Sequence, residues 1–164
     1  MRRLLLPLAL LIAACSGGEV EGPAAEETKF QSDLTDATAK ARAKLPYFWE
    51  HFTAPQVDEF DFSVKAALPR RDGQPGAEEV WLDNVAKAPD KIIGELSIKP
   101  RYLGALEEGA IVDIQESQIT DWAFWRGDKL LGHYTTRILL PRLDQLQQDF
   151  MRPLFEASPD PAPP

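Results

Sequence analysis

Residues 118–134 read QITDWAFWRGDKLLGHY, and the Gly127-Asp128 pair in their middle decides how the chain is laid out. A glycine followed by aspartate supplies the positive φ that a two-residue hairpin turn requires. Reading outward from that turn, Trp125 pairs with Leu130, Trp122 stands opposite His133, and Asp121 stands opposite Tyr134. Side chains alternate faces along a strand, so Trp122 and Trp125 point to opposite sides of the sheet. Only one of them can enter the main core; the other must line a groove or pack under a helix.

Short alternating or β-branched stretches precede and follow this turn: FDFSVKAAL, EEVWLDNV, KIIGELSIK, GAIVDIQ, QITDWAFW and KLLGHYTTRILL, separated by Pro, Gly and Asp. Strands spaced this closely leave no room for crossover helices, so the sheet is predicted to be an antiparallel meander. Upstream, Phe30, Leu34, Ala37, Ala41, Leu45, Phe48 and Phe52 recur at steps of three and four, the pattern of a helix with one buried face. Pro46 removes a helical donor and disfavours the α conformation at the residue before it, so the helix should break near Lys44 or Leu45. Leu143, Leu146 and Phe150 mark one face of a short C-terminal helix that would close the domain. The predicted class is α+β: an N-terminal helix broken near Pro46, packed on a small, strongly bent antiparallel sheet of five or six strands, with a short C-terminal helix.

The ends of the chain carry an address. Arg2 and Arg3 precede an apolar run, Leu4–Ala14, which is too short for a bilayer core needing roughly 20 apolar residues and reads as a signal-peptide core. Ile12-Ala13-Ala14-Cys15 resembles the lipobox of bacterial lipoproteins. That resemblance implies alkylation of the Cys15 thiol by diacylglycerol, cleavage before it, and anchoring in a lipid bilayer by two or three acyl chains. As Cys15 is the sole cysteine, no disulfide forms within the chain. Ser16 in the following position resembles the pattern sent to the outer membrane, facing the periplasm. The predicted division is 1–14 signal peptide, 15–29 lipidated cysteine and flexible acidic tether, 30–155 folded domain, and 156–164 Pro-rich disordered tail. Loss of Arg2 and Arg3 takes the formal net charge of −8 two units lower, which argues against nucleic acid as a partner, since phosphate binding needs clustered Lys and Arg.

ARAKLPYF in the helix, FSVK and EEVWL in the first strands, then GELSIKPRYL, GAIVDIQESQITDWAFW and GHYTTRIL together resemble the YegJ-like domain-of-unknown-function family 2314, over about Ala41 to Leu140. Ile119, Asp121, Trp122, Gly132 and Tyr134 stand at the family's spacing. The resemblance implies a fold and an address, and no mechanism.

Chemistry is sparse. Asp121 beside Trp122 in mid-strand must find donors or pay a burial cost. It either locks the hairpin by accepting bonds from the Tyr134 hydroxyl or nearby backbone, or it is functional. His51 and His133 have no ligands at zinc spacing, so no metal and no cofactor are predicted. Ser117, Thr120, Thr135 and Thr136 lie near His133 in the hairpin pairing, but no nucleophile elbow accompanies them. The favoured reading is a non-enzymatic envelope lipoprotein that binds an unknown protein or envelope ligand, with Trp122, Trp125 and Tyr134 as binding candidates. The alternatives are an envelope hydrolase using Asp121 and His133, and an immunity or inhibitor protein.

Overall fold

The computed structural model describes residues 22–159. The predicted signal peptide, Cys15, the predicted tether up to residue 21 and the tail from residue 160 lie outside them. The elements are α1 (Pro23–Ala43), α2 (Leu45–Thr53), β1 (Glu59–Pro69), β2 (Ala77–Lys87), β3 (Ile92–Leu96), β4 (Ile111–Ile114), β5 (Ile119–Arg126), β6 (Lys129–Gly132), α3 (Tyr134–Leu139) and α4 (Gln145–Met151). The strands form one antiparallel sheet in the order β4-β3-β2-β1-β5-β6, and the fold is α+β as predicted. No helix among the described residues is long and apolar enough to cross a membrane.

Helix α1 starts at Pro23, within the stretch predicted as tether, because Pro23 presets the first helical φ and Ala24, Ala25, Glu26 and Glu27 are strong helix formers. The break falls at Lys44, and Pro46 sits in the first turn of α2, where its missing N–H costs nothing. Ala37 and Ala41 are buried, and such small residues let α1 lie close against the sheet. From there the buried Trp122 indole donates a 2.8 Å bond to the Ala41 carbonyl. Helix α2 contributes Phe48, whose ring packs on Trp49, Phe62, Trp122 and Phe124. One face of the sheet, carrying Val64, Leu82, Leu96, Ile114, Trp122, Phe124 and Leu131, meets these helices in a continuous core.

A buried charge cluster pins α2 to the sheet. Glu59 accepts from Arg126 Nε at 2.9 Å and Nη2 at 2.7 Å, from the Gln56 amide at 2.9 Å, and shares a 2.8 Å bond with His51 Nδ1. Burial raises the Glu59 carboxyl, but the Gln56 amide, His51 and Arg126 outweigh it and hold the group below the ordinary glutamate value.

Two sequence expectations are corrected. KLLGHYTTRILL is not one strand: β6 stops at Gly132 and α3 begins at Tyr134. Gly132 (φ +73°) and His133 (φ +54°) are both left-handed and turn the chain off the sheet, which overrides the local β preference of Thr135, Thr136 and Ile138. Only glycine fits at 132, since a Cβ there would lie 2.2 Å from the Trp122 carbonyl oxygen. The second correction concerns α4, where Leu146 and Phe150 are 81% and 71% exposed, so the predicted apolar face does not close the domain. Instead Phe155 pairs with Leu130 in a parallel bridge, and the Glu156 amide donates to the Leu130 carbonyl. An Asp144–Gln147 capping box satisfies the first turn of this seven-residue helix.

Replacing Trp122 by Phe is expected to lower unfolding free energy by about 1–3 kcal/mol, the cost of losing the buried indole bond to the Ala41 carbonyl, which then keeps only the Lys44 amide at 3.1 Å. A shifted urea midpoint at unchanged slope measures it.

Candidate functional site

The sheet face away from α1 and α2 carries Ser63 and Lys65 on β1, Glu79, Trp81 and Asp83 on β2, Asp121, Ala123 and Trp125 on β5, and Leu130 on β6. Of three register shifts in the sheet, at Phe60/Ser63, Lys65/Ala66 and Asp83/Ala86, two contain a left-handed residue and reshape this face. One falls between Phe60 and Ser63, where Asp61 has φ +51°. It puts Phe62 among the core rings and leaves Phe60 stacked on Trp125 at 6.2 Å. The other lies between Asp83 and Ala86, where Asn84 has φ +48° and donates to Glu95 at 2.9 Å. Between the bulges opens a cavity of about 570 Å³ lined by Asp61, Phe62, Ser63, Trp81, Asp83, Asn84, Ser97, Trp125, Leu130 and His133.

Asp61, Asn84 and His133 are the non-glycine residues with left-handed backbones among those described, and all three line this cavity. Asp, Asn and His tolerate that conformation better than other residues, but it still costs energy, and such strain gathers where a surface is shaped for a ligand. The Ser97 hydroxyl is buried at the cavity wall without a hydrogen-bond partner.

His133 reaches the cavity by an unusual route. In a flat sheet β6 lies three strand spacings from β2, about 14 Å. Yet the His133 and Trp81 ring centroids are 4.6 Å apart, because the left-handed turn at Gly132-His133 folds the imidazole back over the sheet. Phe155 packs on the same ring at 5.5 Å, and Nδ1 bonds Thr136 Oγ1 at 3.1 Å. Burial, followed by the nearby charges of Arg137 and Lys65, pushes the imidazole down to about 3, so it is neutral at physiological pH.

Asp121 is fully buried and does not line the cavity. Its Oδ1 accepts from the Trp122 amide (2.8 Å) and the Tyr134 amide (3.1 Å), and Oδ2 from the Thr135 amide (2.8 Å) and hydroxyl (2.7 Å). Burial raises its carboxyl above the ordinary aspartate value, and these bonds pull it back. The Thr135 hydroxyl also accepts from buried Lys65 Nζ at 3.3 Å, and Lys65 is in turn paired with Glu79 at 2.5 Å. The donors to Asp121 are thus backbone amides and Thr135, while the His133 ring bonds Thr136; Asp121 and His133 share no hydrogen bond.

Of the sequence-level binding candidates, Trp125 lines the cavity, whereas Trp122 and Tyr134 are buried against each other at 5.5 Å. Cys15 lies outside the described residues. Trp81, Asp61, Asp83, Asn84 and Ser97 escaped the sequence reading as site residues. For Trp81 the signal was present, since it alternates away from core-facing Val80 and Leu82.

The family described as "Uncharacterized protein conserved in bacteria (DUF2314)" matches residues 31–152. The chain is similar to "Uncharacterized protein YegJ" of Escherichia coli (strain K12), 30% identical over 153 residues that cover 93% of this chain and 97% of that protein. No solved structure matches.

Asp121→Asn turns one acceptor into a donor facing amide hydrogens and should cost about 1–3 kcal/mol in denaturant unfolding. His133 should show no ring titration by NMR between pH 8 and pH 5. Because the folded imidazole is held neutral while the unfolded one takes a proton near about 6.5, His133 supports folding fully above that pH. Its contribution is lost progressively as pH falls from there toward 3. A His133→Gln variant should therefore have a flatter stability profile between pH 7 and pH 4.

Proposed function

The chain belongs to the DUF2314 family of bacterial proteins, and on that premise we propose that it is an envelope lipoprotein whose α+β domain is a non-enzymatic binding module. The observation that carries the binding reading is the cavity on the helix-free face, where both Trp81 and Trp125 and every left-handed non-glycine residue among those described converge. Indoles offer large, stiff contact area and dominate binding surfaces when they are not consumed by a core. Its volume falls within the range typical of small-molecule sites, roughly 300–1,000 Å³.

The same geometry speaks against the hydrolase alternative. A general base must reach its substrate, and the Asp121 carboxylate is sealed from solvent with its oxygens engaged by four donors. The neutral His133 imidazole packs between Trp81 and Phe155 with no carboxylate to orient it.

The anchor reading rests on the sequence Ile12-Ala13-Ala14-Cys15 after a short apolar leader, followed by Ser16, which favours the outer membrane facing the periplasm. Acyl chains on Cys15 would hold the domain near the bilayer through the acidic residues that follow.

Two experiments test the proposal. Cys15→Ser should abolish palmitate incorporation and release the protein from the membrane fraction; equal labelling of the variant defeats the anchor. A photo-crosslinking residue at Asn84, on the cavity rim, should yield adducts in the native envelope that vanish on Trp125→Ala, while one at Gln147 on α4 should yield none. Absence of adducts at Asn84 removes the binding-module reading.

A further inference from the structure

The proposed binding role leaves the ligand unnamed, and the chemistry of the cavity wall narrows it. Asp61 and Asp83 both line the cavity, and neither carboxylate has a hydrogen bond or ion pair among the described residues. Lysine and arginine are missing from the lining. The cations that act on the His133 wall are Arg137, whose guanidinium is engaged by the Gly132, Leu130 and Glu156 carbonyls, and Lys65, paired in register with Trp81. Asp83 lies two residues further along β2 and Asp61 four further along β1, in the same direction, and Lys65 is already neutralised by Glu79. Among the described residues, no group of three or more His, Cys, Asp and Glu is placed to hold a metal ion.

We propose that this cavity binds a small organic cation bearing N–H donors, a primary ammonium or guanidinium group on an aliphatic stem. The inference rests on the binding-module reading and adds the ligand class. Each part of the wall has a matching part in such a ligand. Carboxylates accept charge-assisted bonds from ammonium or guanidinium hydrogens. Indole π-systems attract the same charge, with Trp the strongest of the aromatic partners, and their apolar surface covers an aliphatic stem. The unpartnered Ser97 hydroxyl and the Ser63 hydroxyl can accept a remaining N–H. A bulge adds one residue to a strand and re-aims the side chains beside it; Asp61 sits in one bulge, and Asp83 borders the other. A hydrated divalent metal ion would find two carboxylates and apolar rings, and an anion would meet uncompensated negative charge. A net charge of −8 adds long-range attraction for a cation, screened by salt over about 8 Å at physiological ionic strength.

Calorimetry of the purified full chain tests this with agmatine and putrescine as probes, against tetramethylammonium, magnesium and N-acetylglucosamine. Agmatine should bind saturably at one site, more tightly than tetramethylammonium, which cannot donate to carboxylates, and the affinity should fall as salt rises. Asp83→Asn and Asp61→Asn should each weaken binding about tenfold, as should Trp125→Ala, while Asp36→Asn on α1 leaves it unchanged. Asparagine tolerates the left-handed backbone at position 61, so that variant keeps the bulge, and cooperative urea unfolding verifies that each variant is folded. Absence of agmatine and putrescine binding by the folded protein overturns the inference, as does binding indifferent to both aspartate substitutions. Saturable binding of N-acetylglucosamine without agmatine also overturns it. If Asn84 adducts form in the envelope while the cations fail, the ligand class falls and the binding module stands; if both fail, the module falls too.

Discussion

A single buried carboxylate links the sheet to everything that follows it. Asp121 is sealed from water and takes three backbone amides and one hydroxyl, of which three come from Tyr134 and Thr135. Those amides are at the start of α3, where a helix has no internal acceptors for its first N–H groups. Asp121 satisfies them from across the hairpin, in place of a capping side chain on His133. The edge strand therefore ends at Gly132, and the chain leaves the sheet with its first helical turn already bonded. The helix docks on α1, bringing Tyr134 against Trp122.

The same turn serves both faces of the sheet. On the helix side, Gly132 allows the backbone to pass within contact of Trp122, whose indole is committed to Ala41. On the free side, His133 folds inward and its ring closes the cavity against Trp81. Stability and site geometry thus meet at residues 121, 122, 132 and 133, and a change that loosens the Asp121 bonds should displace the His133 wall.

The two faces divide labour by composition. The helix face is dense with aromatic rings at 4.8–6.4 Å, a close-packed arrangement that leaves little room for substitution. The free face mixes indoles with carboxylates, amide and hydroxyl groups, and its charged members sort into two zones. Lys65 and Glu79 neutralise each other beside Asp121, with the Thr135 hydroxyl bonded to both Lys65 and Asp121, while Asp61 and Asp83 remain unpaired at the cavity. The first zone is internally satisfied and the second is not, and that difference underlies the cation preference proposed for the cavity.

What the sequence determined by itself is local and periodic. The 3–4 spacing from Phe30 to Phe52 located both N-terminal helices, and Pro46 located the break between them. Period-two alternation located the strands, and Gly127-Asp128 set a hairpin register that holds from Arg126↔Lys129 to Ala123↔Gly132. The same alternation sent Trp122 and Trp125 to opposite faces, and the tertiary structure decided that Trp122 enters the core and Trp125 lines the cavity. Beyond Gly132 the local signal points the wrong way, since Thr135, Thr136 and Ile138 favour a strand, yet the chain turns helical where distant Asp121 accepts the Tyr134 and Thr135 amides that open α3. Leu146 and Phe150 show the converse: a helical stripe is legible, but whether anything packs on it is not. The cavity belongs wholly to tertiary structure. Its bulges at Asp61 and Asn84 shift side chains between faces without a mark in the hydrophobic pattern. The meeting of Trp81 with His133 spans two intervening strands, and such a contact is set by sheet twist and a backbone turn, which no spacing within the chain encodes.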